Sequence, residues 1–596
     1  MSQTVEPKAE YQRRLAARQE TVRRLDKQDA LYANLRLVVF LAALAIIAAA
    51  IWGDDRLWVW LAVPVLAFVV LVVRHDRVIR ARDRARIAIA FYEHGIARIE
   101  DRWAGMGLSG EGLAPTDHLC ASDLDLVGRG SLFELMCLAR TRAGQQALAD
   151  WLCAPAEVDE ILARQKAVDE LRSRLDLRED LAQFGQGVRE GVHPEVLVAW
   201  ATAPQAFCVA RARAIATLVG AALVVSFVML LLGVATFPFI AAIAVAWAVT
   251  RPLSKGVRNA IAAIDEPKRE LAVLAMVLAR LEREPVASAR LKALMARITS
   301  QGQSASACIA RLHRLATWHE ARNNQLFTPV AALLLWDVQF ACAFETWRTR
   351  HGNHVSDWLN AVGELEALCS MSAYAYEHPR DPFPEIVEEG PFFHGDELGH
   401  PLLPSATRVC NGVRLDATTR MWVVSGSNMS GKSTLLRTVG INAVLAQMGA
   451  PVCAKSLRIS PLTIGATLRI QDSIHEGRSR FYAEIKRLRA VMDLTKEAKP
   501  VLFLFDEILA GTNSHDRQLG AEAILKGFLD AGAIGLVTTH DLALARIADA
   551  LTSRAANVHF EDHLEDGKLV FDYRLRSGVV QKSNALELMR AVGLDV

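Results

Sequence analysis

The chain has 596 residues, 52% of them hydrophobic, and a formal net charge of +2 from 68 basic and 66 acidic residues. This length allows several domains, and the apolar fraction is high for a wholly soluble protein. The balanced charge excludes a globally basic nucleic-acid-binding protein, so any DNA affinity requires a local patch. The nine cysteines are scattered without a Cys-x-x-Cys pair, which argues against a zinc site and favours reduced thiols.

The N-terminal third contains the first strongly apolar region. Residues 1–36 are polar and predict a cytoplasmic helical segment without a signal peptide. Two nearly charge-free runs follow at 37–52 and 57–73, and each approaches the roughly 20 residues that cross a bilayer. We therefore expect a transmembrane hairpin over 37–73, in preference to a buried helix pair in a soluble core, because a soluble helix normally keeps a polar face. The arginine-rich segment 74–116 predicts a basic juxtamembrane helix, and the positive-inside rule places both ends of the hairpin in the cytoplasm.

The middle of the chain alternates between helical and apolar segments. Residues 117–210 predict a helical region, and 211–252 predict a second transmembrane hairpin flanked by arginines, which gives four spans. Residues 253–380 are helical by periodicity. Within them, 326–344 is apolar enough for a fifth span, but Pro329, Asp337 and Gln339 favour a buried core helix. Prolines at 379, 382 and 384 mark the boundary before the last domain, 395–596.

The most specific signal is the stretch 426–434, Gly-Ser-Asn-Met-Ser-Gly-Lys-Ser-Thr, which fits the phosphate-loop template. It lies between a predicted strand and a predicted helix, as that loop requires. Gly426 and Gly431 let backbone N–H groups and a helix N-terminus face a phosphate. Lys432 is expected to reach the β and γ oxygens of a nucleotide, and the Ser433 hydroxyl to hold Mg²⁺.

Later strands supply acidic groups to the same sheet edge. An apolar run at 501–505 predicts a buried parallel strand that ends in Asp506 and Glu507. We expect Asp506 to bind Mg²⁺ through water and Glu507 to orient or deprotonate the attacking water. The strand at 534–537 leads to His540, whose imidazole is expected to contact the γ-phosphate. Gln471 and Asp472 follow another apolar run, and this order of elements is that of the ABC-type ATPases.

The motifs resemble one branch of those ATPases, the MutS family, over about residues 395–596. Asn428-Met429 in the loop, a Ser-x-Phe-x-x-Glu helix start at Ser479, and Asp506-Glu507-Ile508 followed by Gly511-Thr512 are similar to the MutS ATPase domain. Segments at 400–403, 578–583 and 585–593 resemble its opening and closing parts. Segments at 117–190 and 364–379 resemble, less specifically, the MutS core and lever helices. The sequence departs from the family at Ser427, Ser430 and Leu509-Ala510.

The resemblance implies an α/β P-loop ATPase domain of ABC/MutS type with a mostly parallel sheet, an all-α lever and core region, and four transmembrane helices in two hairpins. It implies ATP and Mg²⁺ as cofactors and a homodimer in which Ser479 of one subunit touches the γ-phosphate bound by the other. The predicted site residues group by role as follows: catalytic, Glu507, His540 and Lys432; nucleotide-binding, Gly426, Asn428, Gly431, Lys432, Ser433, Thr434 and Ser479; metal-binding, Ser433 and Asp506.

The family also reads DNA mismatches with a Phe-x-Glu wedge, and Phe91-Tyr92-Glu93 is a candidate. An ordinary amphipathic helix is preferred there, because the sequence has no room for the mismatch-recognition domain. The resulting prediction is a multi-pass inner-membrane ATPase with its ATPase domain in the cytoplasm, bound to the lipid bilayer and coupled to DNA without mismatch specificity. Two alternatives stay open: an ABC-type ATPase that drives membrane transport, and an ATP-switched membrane scaffold for a protein partner.

Overall fold

The computed structural model describes residues 6–53, 57–184, 194–265, 268–299, 304–469, 480–540, 545, 547–548, 551, 554–565 and 568–579. The chain divides into two compact units. Unit 1 comprises residues 1–106 and 175–186, and unit 2 comprises 107–174 and 187–596.

The helices and strands alternate in blocks along the chain. The helices are α1 Pro7–Trp52, α2 Leu57–Trp60, α3 Ala62–Ile99, α4 Leu132–Met136, α5 Arg142–Cys153, α6 Val158–Arg172, α7 Leu175–Phe184, α8 Pro194–Thr202, α9 Val209–Leu231, α10 Phe237–Asp265, α11 Lys268–Leu281, α12 Ala289–Ile298, α13 Ala305–Glu320, α14 Thr328–Leu333, α15 Trp336–Glu377, α16 Lys432–Met448, α17 Arg480–Leu494 and α18 Ser514–Asp530. The strands are β1 Glu385–Ile386, β2 Phe393–Leu398, β3 Asn411–Leu415, β4 Met421–Ser425, β5 Ser456–Ile459, β6 Thr463–Thr467, β7 Val501–Phe505, β8 Ile534–Thr539, β9 Ala555–Glu565 and β10 Lys568–Ser577.

Unit 1 is a long helical hairpin of α1 and α3, with α7 packed on α3. Ion pairs hold its polar half together, and Asp29 accepts from both His75 Nε2 and Arg82 Nη1 at 2.7 Å. Further from the apolar half, Phe91 and Tyr92 are buried against the ring of Tyr11. The Phe-Tyr-Glu triplet is therefore part of a helix contact, which confirms the predicted ordinary helix at this place.

Among the described residues, four helices are long and apolar enough to cross a membrane. They lie within Pro7–Trp52, Leu57–Ile99, Val209–Leu231 and Phe237–Ile261, in the positions of the two predicted hairpins. Only 6% of the most apolar window of the first helix is buried inside the protein. Leucines and valines there face outward, which is the arrangement that a lipid environment would cover.

Helix α15, 42 residues long, is the axis of the helical part of unit 2. Helices α5, α6, α8, α9, α10, α12 and α13 contact it along its length. Gly363 lets α5 approach closely, because a Cβ there would lie 2.7 Å from the Ala143 carbonyl oxygen. One turn on, the buried Glu366 carboxylate accepts from the backbone N–H groups of Thr141 and Arg140.

The predicted buried helix over 326–344 is only partly correct. The segment breaks at Leu335, which has a φ of 48°, between the short α14 and the start of α15. Val338 to Phe344 contribute buried side chains to the helical core, whereas Leu326 is 90% exposed. The break exists because the left-handed residue redirects the chain by a turn that apolar periodicity does not encode.

The C-terminal part of unit 2 contains two sheets, in the order β1-β5-β2-β3 and β10-β9-β4-β8-β7-β6. In the larger sheet β9, β4, β8, β7 and β6 are parallel, and only β10 pairs antiparallel. This confirms the mostly parallel sheet and the predicted strands at β4, β7 and β8. All five residues of β7 are buried, and Phe503 and Phe505 pack on Phe528 of α18. The parallel strands therefore end together on one edge, where the candidate site lies.

Candidate functional site

The loop between β4 and α16 forms the floor of the site. Gly426 and Gly431 have φ values of 154° and 103°, and Met429 between them has a φ of 70°. A Cβ on Gly426 would lie 2.8 Å from Ser430 Oγ and 3.2 Å from the Phe560 carbonyl oxygen. The loop can therefore curl tightly only with glycine at this position. It leads into the N-terminus of a 17-residue helix, where unpaired N–H groups favour an anion.

Lys432 is the first residue of that helix and is 5% exposed. Its Nζ donates to the carbonyl oxygens of Gly426 at 2.9 Å and Ser427 at 2.8 Å, so the ammonium group crosses the inside of the loop. Burial lowers the pKa of Lys432, while the charges of Glu507 and Asp506 act in the opposite direction. A buried ammonium group beside a helix N-terminus is suited to a multiply charged anion.

Asp506 and Glu507 follow β7 at the same edge of the sheet. Thr538, fully buried at the end of β8, donates its hydroxyl proton to Asp506 Oδ1 and accepts from the Glu507 backbone N–H at 3.0 Å. Glu507 adopts a left-handed φ of 51°, a conformation that costs free energy and is common at functional sites. Thr538 thus fixes the position of both acidic residues.

His540 directly follows the last residue of β8 and lies beside Glu507. The His540 Nδ1 and Glu507 Oε1 atoms are 3.3 Å apart, and each side chain is substantially exposed. The structure therefore brings three predicted catalytic residues, Lys432, Glu507 and His540, to one edge of the sheet. It places the imidazole next to the carboxylate, a contact that the sequence did not predict.

A cavity of about 570 Å³ opens above the loop. One part of its lining is polar, with Asn428, Lys432 and Glu507, and another is apolar, with Val409 and Tyr573. The remaining lining residues are Leu398, Leu403, Thr407, Asn411, Met429, Gly431, Ser433, Thr434, Leu435, Thr438 and Phe560. The lining thus combines anion-binding groups with apolar side chains, both of which a nucleotide requires.

The β9–β10 hairpin brings Tyr573 to this cavity, across more than a hundred residues of sequence. A Cβ on Gly431 would lie 3.2 Å from Tyr573 Cδ1. Asn411 holds the hairpin, since its Nδ2 donates to the Tyr573 carbonyl oxygen at 3.0 Å and its Oδ1 accepts from the Leu575 N–H at 2.8 Å. The sequence did not indicate roles for Tyr573 and Thr538, which become apparent only after distant strands pair.

Helix α17 connects the site to the segment between α3 and α4. Its Glu484, 1% exposed, accepts at Oε1 from the Leu509 backbone N–H at 2.5 Å. One turn later, Arg487 Nη2 donates to Asp123 Oδ2 at 2.7 Å. Burial raises the pKa of Asp123, and the positive charge of Arg487 opposes that shift. Ser479, Gln471 and Asp472 lie outside the described residues, so their predicted roles stay predictions.

The arrangement fits ATP with Mg²⁺. Ser427 Oγ and Ser430 Oγ are buried in the loop and have no hydrogen-bond partner within the described part of the chain. These hydroxyls, the helix N-terminus and Lys432 form a donor set for phosphate oxygens. Asp506 supplies the carboxylate oxygen that Mg²⁺ prefers, and Ser433 lines the same cavity.

Comparison with known proteins identifies the C-terminal region. Residues 422–595 match MutS domain V. The chain is 31% identical over 247 residues to the DNA mismatch repair protein MutS of Natronomonas pharaonis, which covers 40% of this chain and 28% of that protein. It is 32% identical over 239 residues to the DNA mismatch repair protein MutS 2 of Halobacterium salinarum, and this match covers 39% of this chain and 27% of that protein. It is 31% identical over 246 residues to the Endonuclease MutS2 of Thermus thermophilus, and this match covers 40% of this chain and 30% of that protein. Each match therefore spans less than a third of the relative.

Proposed function

Because its C-terminal region places this chain in the MutS family, we propose that it is a membrane-anchored ATPase that hydrolyses ATP with Mg²⁺. The observation that carries the proposal is the meeting of Lys432, Asp506 and Glu507 at one edge of a parallel sheet, around a glycine-containing loop and a helix N-terminus. Positioned charges of this kind supply most of the catalysis in phosphoryl transfer.

Each residue has a distinct task in this proposal. Lys432 and the loop N–H groups bind the β and γ phosphates, and Asn428 and Thr434 line the same cavity. Ser433 and Asp506 would hold Mg²⁺, which would neutralise charge on the phosphates. Glu507 orients the attacking water and takes its proton, and His540 contacts the Glu507 carboxylate. Val409 and Tyr573, which line the same cavity, would contact the base.

Two substitutions separate nucleotide binding from hydrolysis. Lys432→Ala should weaken ATP binding, since it removes the buried cation. Glu507→Gln should retain binding but lose turnover, since only activation of water is removed. Binding of a fluorescent ATP analogue and phosphate release are measured on the full chain in detergent. Lys455→Ala and Glu497→Gln, at exposed positions of the same domain, are the matched controls. Wild-type turnover in Glu507→Gln would contradict the proposed role.

We further propose a homodimer with composite sites, in which Ser479 of one subunit contacts the phosphate bound by the other. This rests on the resemblance of the Ser-x-Phe-x-x-Glu helix start to the family pattern. Phe481 and Glu484 of that pattern do contact the loop that follows Glu507. A Lys432→Ala chain mixed with a Ser479→Arg chain should recover partial activity, whereas neither chain alone does. Absence of recovery in a demonstrated heterodimer would show that each site is complete within one chain.

The proposed localisation is the inner membrane, with both termini and the ATPase domain in the cytoplasm. Four apolar helices in two pairs and the flanking arginines support it. A cysteine in place of Asp55 should react with an impermeant reagent in intact cells, and one in place of Asp101 should not. Cys208 and Cys410, which are exposed, are replaced by serine in both chains. Reaction at position 101 would reverse the proposed topology.

We propose that any DNA binding by this protein is tolerant of DNA structure and indifferent to a single mismatch. A mismatch reader needs an exposed aromatic wedge, and Phe91, the candidate from sequence, is 4% exposed. Phosphate contacts by arginine and lysine would then supply most of the affinity.

A further inference from the structure

The turn between α13 and α15 exposes an apolar surface beside the second pair of apolar helices. We call residues 318–335, which include α14, the elbow. Its exposed side chains include Leu326 at 90%, Trp318 at 63% and Val330 at 43% of their full areas. No charged residue occurs between Arg322 and Asp337 in the sequence. A monomeric soluble protein seldom leaves such a cluster in contact with water.

The elbow runs alongside α9, one of the four helices apolar enough to span a membrane. At the polar start of α9, Arg213 Nη2 donates to Thr346 Oγ1 at 3.1 Å. One turn further, Gln339 Nε2 donates to Thr217 Oγ1 at 3.3 Å. Beyond that, a Cβ on Gly220 would lie 3.6 Å from the Leu333 carbonyl oxygen. At about 1.5 Å per residue, the elbow therefore reaches about 10 Å past Arg213 along α9.

Charges around the elbow are arranged as at a membrane surface. Arg311 and Arg314 are exposed on α13. Arg314 follows Arg311 by three residues and Trp318 follows Arg314 by four, so the three side chains lie on one face of the helix. Exposed Glu320 and the half-buried Arg322 lie between Trp318 and the apolar side chains, and Arg322 pairs with Asp337. Arginines and a tryptophan beside apolar side chains are the residue types found at a membrane interface. Asp337, where the apolar stretch ends, pairs with Arg322 and with His319 Nε2.

Several backbone groups of the elbow are hydrogen-bonded within it. Thr328 Oγ1 donates to the Arg322 and Asn324 carbonyl oxygens at 2.8 and 2.9 Å, and Asn324 Oδ1 accepts from the Leu326 N–H at 3.0 Å. The Phe327 and Thr328 N–H groups both donate to the Asn324 carbonyl oxygen. A turn can enter a bilayer surface only when its polar backbone groups are paired in this way.

We propose that the elbow inserts into the cytoplasmic leaflet as an interfacial anchor, a lipid contact additional to the two membrane hairpins. The proposal rests on the membrane anchoring proposed above. Its depth of about 10 Å is that of an interfacial helix, which does not cross the bilayer. Helix α15 begins at the elbow and extends about 63 Å towards the ATPase domain. It therefore joins the lipid surface directly to the part of the chain that binds ATP.

Site-directed spin labelling of the full chain in vesicles of phosphatidylethanolamine and phosphatidylglycerol tests this. Cys208 and Cys410 are replaced by serine, and one cysteine is introduced per chain: Leu326→Cys in the elbow, Leu218→Cys on α9, or Leu162→Cys on α6. Relaxation by oxygen, which concentrates in lipid, is compared with relaxation by a water-soluble nickel chelate. We expect the oxygen-to-nickel ratio at 326 to exceed that at 162 several-fold and to lie below that at 218.

The outcomes separate the two proposals. A lipid signature at 218 with a water signature at 326 overturns the elbow anchor and leaves the membrane hairpin standing. A water signature at 218 as well overturns the membrane anchoring itself. Low accessibility to both reagents at 326 would show that protein covers the elbow, for example a second copy of the chain, and also overturns the lipid contact. Val330→Cys, on the same surface, repeats the measurement where a label at 326 prevents folding.

Discussion

Replacing Thr538 by valine tests whether the two carboxylates are positioned as the structure shows. Its hydroxyl group donates to Asp506 and accepts from the Glu507 N–H, and the side chain is fully buried. Valine has nearly the same shape, so the packing of β8 is retained. The hydrogen bond to a carboxylate is lost, and a buried N–H is left without its acceptor.

The expected decrease in kcat follows from the loss of these two hydrogen bonds. A hydrogen bond to a charged group contributes about 1.5–3 kcal/mol, and an unpaired buried donor costs about 1–3 kcal/mol. If ~2 kcal/mol of this is felt in the transition state, kcat falls ~30-fold. KM for ATP should change less, because Thr538 is not among the residues that line the cavity. Steady-state phosphate release over a range of ATP concentrations gives both constants.

Thr538→Ser is the matched control, since serine keeps the hydroxyl group and loses only a methyl group. It should recover most of kcat, while thermal unfolding shows whether either variant is destabilised. A folded Thr538→Val protein with wild-type kcat would refute the idea that this hydroxyl positions Asp506 and Glu507. A rise in KM with unchanged kcat would assign Thr538 to binding.

Three further predictions concern other parts of the chain. Tyr573→Ala should raise KM for ATP several-fold with little change in kcat. Tyr573→Phe, which keeps the ring, should leave KM unchanged. An unchanged KM in the alanine variant would show that Tyr573 does not contact the base. Burial lowers the pKa of His400 from 6.5 to about 4, so the unfolded chain binds the extra proton and stability should fall as pH drops from 6.5 towards 4. In His400→Gln the free energy of unfolding, measured from unfolding curves, should depend less on pH between 6.5 and 4. If the stability of this variant falls as steeply with pH as that of the wild type, His400 is not the cause. Homoduplex and mismatched DNA, titrated in parallel at two salt concentrations, should bind with equal affinities that fall strongly as salt rises. Phe91→Ala should leave these affinities unchanged. A preference for mismatched DNA that is lost in Phe91→Ala would contradict the buried role of Phe91.

Local sequence was sufficient to predict the strands and the loop of the site. Strands β4 and β7 are short apolar runs followed at once by polar motifs, so both their identity and the sheet edge could be predicted. Tyr573 and Thr538 could not be assigned, because their positions depend on pairing between distant strands. Tyr573 reaches the phosphate loop only through the β9–β10 hairpin, and nothing near it in sequence indicates a nucleotide.

The elbow shows a different limit of sequence reasoning. Residues 326–344 have the composition of one buried helix, and a single change of backbone conformation at Leu335 divides them. Leucine has no preference for the left-handed region, so the sequence carries no sign of the break. Packing of α14 against α9 and of α15 against the helical core determines it.

Helix α17 contacts both the loop after Glu507 and the segment between α3 and α4. Glu484 and Arg487 lie one turn apart, the first bound to the loop after Glu507 and the second to the buried Asp123. Next to Asp123, Leu124 packs so closely on α16 that a Cβ on Gly440 would lie 2.6 Å from it. Movement of α17 away from Asp123 would cost free energy, because the buried carboxylate would lose the Arg487 guanidinium and keep the Arg469 N–H as a donor. Any displacement of the loop at Leu509 must therefore either break its bond to Glu484 or carry the 123–124 segment with it. The second course keeps both hydrogen bonds intact, and it would carry a change at Glu507 into the 123–124 segment that packs on α16.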